Sequence, residues 1–240
     1  MLELQKNIDK LLEYDPYYIE HHTKKELMIN ILKSQIEFHL KNCKQYREWY
    51  KSNEFISIDD IEDYEDIPFL TSNIFKMVNL TSIKKAKIIQ SSGTTSSLKS
   101  TIHIDAQTSK NQSKSLSKIL STILDKKRRH YFIIDIEPQK NSSDQIISAR
   151  QAGMNGYLMG AKKTTYLLKK NGDGKIIIDD DKLRNLIDVL SSEPILIIGY
   201  TYMLYEYLLN NSSIDFSKII CGYDTKLIHF GGWKKLENKS

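Results

Sequence analysis

The run Gln90-Ser91-Ser92-Gly93-Thr94-Thr95-Ser96-Ser97-Leu98-Lys99-Ser100 gathers hydroxyls and small side chains in one short segment. A loop of this kind can wrap a polyanion, because backbone N–H groups and Ser/Thr hydroxyls all donate to phosphate oxygens with little bulk in the way. Gly93 to Ser100 fits the nucleotide pattern G-x-x-x-x-G-K-[ST], except that Leu98 stands where the second glycine turns the chain under the phosphate. That pattern also requires a helix directly after the loop, with its N-terminus facing the phosphates. Here Ser100 is followed by Thr101-Ile102-His103-Ile104-Asp105, which alternates like a strand. Taken alone, the loop is equally readable as a solvated Ser/Thr turn.

Other reactive side chains form no pattern of their own. His21, His22, His39, His103, His130 and His229 have no metal-ligand spacing, and only His229, beside Gly231, adjoins a segment of interest. Cys43 and Cys221 are too few for a disulfide framework or a four-ligand zinc site, and both are expected to be buried structural thiols. Lys126-Lys127-Arg128-Arg129 reads as a solvated turn before a buried strand. Trp49 and Tyr50 are expected to face a helical core, and the many tyrosines to pack half-buried.

The elements that must position these residues follow from periodicity. Helical spacing of Leu4, Ile8, Leu11 and Leu12, and then of Leu27, Ile31, Ile36, Leu40, Cys43 and Tyr46, predicts an N-terminal helical layer over residues 1–55, broken at Asp15-Pro16. The remainder, 56–240, is expected to be one α/β core. Strands are predicted at 86–90, 101–105, 131–136, 156–160, 164–168, 195–198 and 227–230. Helices are predicted at 74–77, after Asp105, at 143–152, at 180–190 and at 202–209, with a turn at Asn171-Gly172-Asp173-Gly174. Strands alternating with helices imply an α/β fold of mixed sheets covered by helices.

Composition excludes several classes. Of 240 residues, 40% are hydrophobic and 27% charged, enough for a real core and unlike a disordered chain. A net charge of +5 is too thinly spread for a protein that grips nucleic acid through its phosphates, so no nucleic acid partner is expected. No apolar run reaches the roughly 20 residues of a membrane span. With no signal sequence at the polar N-terminus, the expected compartment is the cytoplasm.

Ser91-Ser92-Gly93-Thr94-Thr95 followed by Ser100-Thr101-Ile102-His103-Ile104-Asp105 resembles the phosphate loop of the acyl-protein synthetases, the LuxE-like branch of the adenylate-forming superfamily. The resemblance continues in order through Ile67-Pro68-Phe69-Leu70, Phe75-Lys76, Ile133-Ile134-Asp135, Ser148-Ala149-Arg150-Gln151-Ala152-Gly153, Ile198-Gly199-Tyr200-Thr201 and His229-Phe230-Gly231-Gly232-Trp233-Lys234-Lys235-Leu236. It implies the N-terminal large domain of an adenylate-forming enzyme. The implied activity is that of an AMP-forming ligase: ATP and Mg2+ activate a fatty carboxylic acid as an acyl-adenylate, and the acyl group passes to a protein thiol and on to a fatty acid reductase. On this resemblance Ser91, Ser92, Gly93, Thr94 and Thr95 hold the β- and γ-phosphates. Gly231 and Gly232 let the adenine lie against backbone, and Lys234 either contacts phosphate or supports a residue that does. Gly199, Tyr200 and Thr201 line the acyl side, where a strand ends at the carboxyl edge of an α/β sheet. Asp135, Arg150 and Gly153 match family positions without an assignable step, and no metal-ligating residue is assigned.

The sequence departs from the wider superfamily at Ser96, where many members have glycine, and Lys99 lies near that superfamily's own loop lysine. Superfamily members continue past the Gly-Gly pair into a Tyr-Gly-x-Thr-Glu-type segment, a ribose-binding aspartate and a mobile C-terminal domain. The expectation is therefore a fold incomplete at the C-terminus that does not finish the reaction alone. The alternative is a non-catalytic scaffold of the same origin that associates with a fatty acid reductase or an acyl carrier protein.

Overall fold

A computed structural model describes residues 2–91, 98–125, 127–138, 146–211 and 214–233. The chain divides into two compact units, one of residues 1–120 and 142–157 and one of residues 121–141 and 158–240.

The first unit begins with α1 (Leu2–Leu11), α2 (His21–Asn42) and α3 (Lys44–Lys51). The start of α2 is fixed by Glu20, whose carboxylate accepts from the His22 and Thr23 N–H groups at 2.9 and 2.8 Å. These bonds to otherwise orphaned helix donors favour the ionised carboxyl and lower its pKa. One face of α2 buries Ile29 and Ile36 against Ile61, with Leu40, Tyr50, Ile58 and Ile67 around them. Tyr46, Trp49, Tyr50 and Phe55 stack in a chain of ring contacts 5.1–6.5 Å apart, so Trp49 and Tyr50 pack on neighbours while half-buried.

After the short helix α4 (Ile74–Met77) come β1 (Lys87–Gln90), β2 (Thr101–Ile104) and α5 (Ala106–Leu124), the last turn of which belongs to the second unit. The side-chain amides of Gln5 and Asn111 bond reciprocally and tie α1 to α5. A small mixed sheet has the order β2-β1-β4, with β2 antiparallel to β1 and β4 (Ile146–Ser148) parallel to it. The helix α6 (Ala149–Tyr157) follows at once.

The second unit is built on a five-stranded sheet of order β6-β5-β3-β7-β8 among the described residues. β3 (His130–Ile136), β5 (Lys163–Lys170), β7 (Pro194–Tyr200) and β8 (Asp224–Phe230) run parallel, and β6 (Ile176–Ile178) returns antiparallel on the β5 edge. The central strands read as near-continuous apolar runs because both faces are covered. Phe132, Ile134, Leu167, Ile195 and Ile197 are essentially solvent-free and pack with Leu186 of α7 (Asp180–Val189) and Met203 of α8 (Thr201–Leu204). A π-helical turn at Tyr205–Leu209 and then α9 (Phe216–Ile220) complete the return to β8.

The molecule is thus α/β, with two mixed sheets flanked by helices. Two predicted elements differ. Residues 156–160 are not a strand: Gly156 lies in α6, and Gly160 takes a left-handed turn with φ +89°. A Cβ at Gly156 would stand 2.9 Å from Leu116 Cδ2 of α5, so the glycine serves close packing rather than an extended chain. The helix expected over 143–152 is preceded by β4, and residues 139–145 lie outside the described ones. Among the described residues, no helix is long and apolar enough to cross a membrane.

Candidate ligand site at the carboxyl ends of the parallel strands

In the second unit the chain leaves β3 towards β5 on one side, and β7 lies on the other. The carboxyl ends of β3 and β7 therefore flank a point where the strand order reverses, the place where open α/β sheets collect ligands. Register carries β7 and β8 to this edge together, pairing Gly199 with His229 and Tyr200 with Phe230.

Gly199 is required by packing: a Cβ there would stand 2.9 Å from Ile134 Cβ on the neighbouring strand. Tyr200 packs edge-on against Phe230, with ring centroids 4.6 Å apart. Thr201 opens α8 and is 7% exposed. Its Oγ1 lies 3.0 Å from His229 Nδ1, 3.2 Å from the Phe230 carbonyl oxygen and 2.8 Å from that of Gly231. The end of β7 is thereby laced to the turn leaving β8.

Gly231 has φ +83°, a left-handed conformation that strains any residue with a side chain, and an added Cβ would also crowd the Tyr200 ring at 3.3 Å. At Gly232 an added Cβ meets nothing within 4 Å, so the backbone there is open to the close approach of a flat group. Trp233 follows, half exposed, its ring centroid 5.4 Å from that of Tyr205 in the π-helical turn. At the end of β3, Asp135 accepts the Ile136 N–H at 2.7 Å, beside a register shift between Ile133 and Ile136. Burial, reinforced by the charges of Asp135 and Glu137, raises the pKa of Tyr166 and holds its phenol protonated.

Gly199, Tyr200, Thr201, Gly231 and Gly232 thus lie on one edge of one sheet. Of the hydroxyl loop, Ser91 belongs to the first unit, while Ser92, Gly93, Thr94 and Thr95 lie outside the described residues, as does Lys234. The neck of the loop is closed by two bonds, Ser91 N–H to the Ser100 carbonyl at 3.1 Å and Ser100 N–H to Ser91 Oγ at 3.0 Å. Strand β2 after this neck, rather than a helix from Lys99, removes the P-loop reading. Arg150 stands in the first turn of α6 and Gly153 within it, in the first unit.

Two expectations about reactive groups are corrected. Cys43 is buried as expected, but Cys221 is exposed at the end of α9, where a short helix stops before Gly222. The basic turn before β3 is not wholly solvated, because Arg129 is 1% exposed and bonds Asp224, Asp125 and the Leu124 carbonyl. Sequence reading also missed the bond between His229 and Thr201. The available signal was that each stands two residues from a glycine near the end of an apolar strand, Thr201 from Gly199 and His229 from Gly231.

A mainly parallel sheet flanked by helices, with a left-handed glycine just past the end of β8, defines an α/β protein of the open-sheet kind. The chain belongs to the acyl-protein synthetase, LuxE family, which matches residues 3–240. None of the curated proteins matches it.

Proposed function

We propose that the protein binds ATP with Mg2+ and a fatty carboxylic acid and activates the acid as an acyl-adenylate for transfer to a protein thiol. The observation that carries this reading is the turn at Gly231-Gly232: a left-handed glycine laced to Thr201, followed by a glycine where an added Cβ would meet nothing within 4 Å, which suits a flat base lying against the chain. In this reading Gly231 and Gly232 bear the adenine, and Gly199, Tyr200 and Thr201 border the acyl group. Ser91, Ser92, Gly93, Thr94, Thr95 and Lys234 supply donors to the phosphates.

Bound Mg2+ would neutralise charge on the triphosphate. Among the described residues no three His, Cys, Asp or Glu side chains are grouped to hold a metal ion. In this reading the ion is carried chiefly by phosphate oxygens and water, as magnesium usually is. The chain's own contribution is alignment: a half-buried strand edge bearing Tyr200 and Phe230 for the acid, beside neutral backbone donors and acceptors for the nucleotide.

Isothermal titration with ATP and Mg2+, together with ATP–pyrophosphate exchange in the presence of a long-chain fatty acid, tests the proposal. The expected result is saturable binding that weakens at least about tenfold in the Thr94→Ala, Thr95→Ala double variant, since hydrogen bonds to a charged group are lost. Little or no binding would favour a non-catalytic scaffold that associates with a fatty acid reductase or an acyl carrier protein, and binding without exchange would fit a chain that does not finish the reaction alone. No binding would end the nucleotide reading.

A further inference from the structure

Three polar atoms crowd the single hydroxyl of Thr201. Two are the carbonyl oxygens of Phe230 and Gly231, at 3.2 and 2.8 Å, and the third neighbour is His229 Nδ1 at 3.0 Å. A hydroxyl has one proton to give, and carbonyl oxygens only accept. If that proton went to Nδ1, the Gly231 carbonyl oxygen would face hydroxyl lone pairs at 2.8 Å, a repulsive contact beside a threonine only 7% exposed. The arrangement is satisfied when Thr201 donates to the Gly231 carbonyl and His229 donates to Thr201.

From this network we propose that His229 is a positioning residue: as the Nδ1–H tautomer it orients the Thr201 hydroxyl onto the Gly231 carbonyl and so holds the left-handed turn in its ligand-ready shape. The relay matters because Gly231 has no side chain to restrain it, and β8 lies at the edge of the sheet, with β7 its only strand neighbour among the described residues. His229 itself is exposed, so its ring is kept in register by this bond rather than by burial. Fixing the tautomer leaves Nε2 unprotonated, an acceptor on the outward side of the ring. The role in ligand binding rests on the nucleotide reading above, whereas the tautomer does not.

Long-range proton–nitrogen NMR on histidine-labelled wild-type protein, at about pH 8 and so above the ordinary histidine range, reads the tautomer directly. The expected spectrum for His229 has Nδ1 protonated and Nε2 bare, with Nδ1 protonation lost as the dominant form in Thr201→Val. An Nε2–H tautomer in the wild type would overturn the proposal whether or not ATP binds. Titration with ATP and Mg2+ supplies the second arm. His229→Asn keeps an N–H donor near the Nδ1 position and should bind within about twofold of wild type, while His229→Gln places its donor near Nε2 and should bind about tenfold more weakly. Equal losses in the two variants, with both still folded by circular dichroism, would also overturn it. Failure of the wild type to bind ATP at all would defeat the nucleotide reading and leave the spectrum to decide the relay.

Discussion

The two ends of the parallel sheet in the second unit are held by opposite means. At the amino end, Arg129 is sealed from water and its guanidinium is engaged on every side, with Asp224 Oδ1 at 2.8 Å, the Asp224 carbonyl at 2.7 Å, Asp125 at 3.2 Å and the Leu124 carbonyl at 3.3 Å. Lys127 adds a second cation 3.1 Å from Asp224. At the carboxyl end the joint is neutral: a hydroxyl, an imidazole and two carbonyls around a glycine. A buried charge that is fully paired fixes geometry but is costly to disturb. A neutral relay of single hydrogen bonds is weaker and leaves the local charge to be set by whatever binds. The β7–β8 joint thus uses no fixed charge, whereas the neighbouring end of β3 carries Asp135 and Glu137.

That contrast is most easily broken at Arg129. Arg129→Ala should destabilise the fold by about 3–5 kcal/mol in urea denaturation, because Asp224 and the facing carbonyls lose their main partner. Next comes Asp224. The hydrogen bond from Arg129, helped by Lys127 and opposed by partial burial, lowers its pKa below the ordinary carboxylate value. With the folded-state pKa depressed, its stabilisation is complete above about pH 4 and is lost as pH falls through the lower folded value. Asp224→Asn should therefore cost about 1.5–3 kcal/mol at neutral pH and flatten the acid side of the stability curve.

At the other end, Gly231→Ala combines left-handed strain with crowding of Tyr200, and about 1–2 kcal/mol of stability should disappear. Its larger signature should be in ligand affinity, and a variant that loses stability while binding ATP normally would erase the functional distinction between the ends. The smallest effect concerns Thr225, whose buried hydroxyl has no hydrogen-bond partner among the described residues. Thr225→Val removes an unsatisfied group at nearly constant shape and should be neutral or stabilising by up to about 1 kcal/mol in thermal melts. A loss instead would show that the amino end uses that hydroxyl.

Much of the second unit could be read from residues alone, because strands buried on both faces announce themselves as uninterrupted runs such as Tyr131-Phe132-Ile133-Ile134 and Ile195-Leu196-Ile197-Ile198. The short strands were harder. β4 is only three residues long and is extended because it pairs with β1, a partner far away in sequence. The stretch from Gly156 to Gly160 looked extended for the opposite reason: its glycines mark a tight helix contact and a turn, and local pattern does not separate those from strand ends. Arg129 was hidden inside a basic cluster, since burial of one member depends on Asp224, nearly a hundred residues on. In the site, glycines at Gly199 and Gly231 were visible as residue types, and both turn out to be sterically required. The His229 relay depends on parallel register between β7 and β8, which no local pattern contains.

Strand β7 is clamped by β3 on one flank and β8 on the other, whereas β8 is laddered on the β7 side only among the described residues. The two strands that carry the candidate site therefore differ in stiffness. The tyrosine-bearing strand is a fixed jaw, and the strand leading to the paired glycines is compliant, held by a single seam. Amide hydrogen exchange should accordingly run faster along Lys226 to Phe230 than along Leu196 to Tyr200, and a seated guest would narrow that gap by bracing the looser jaw.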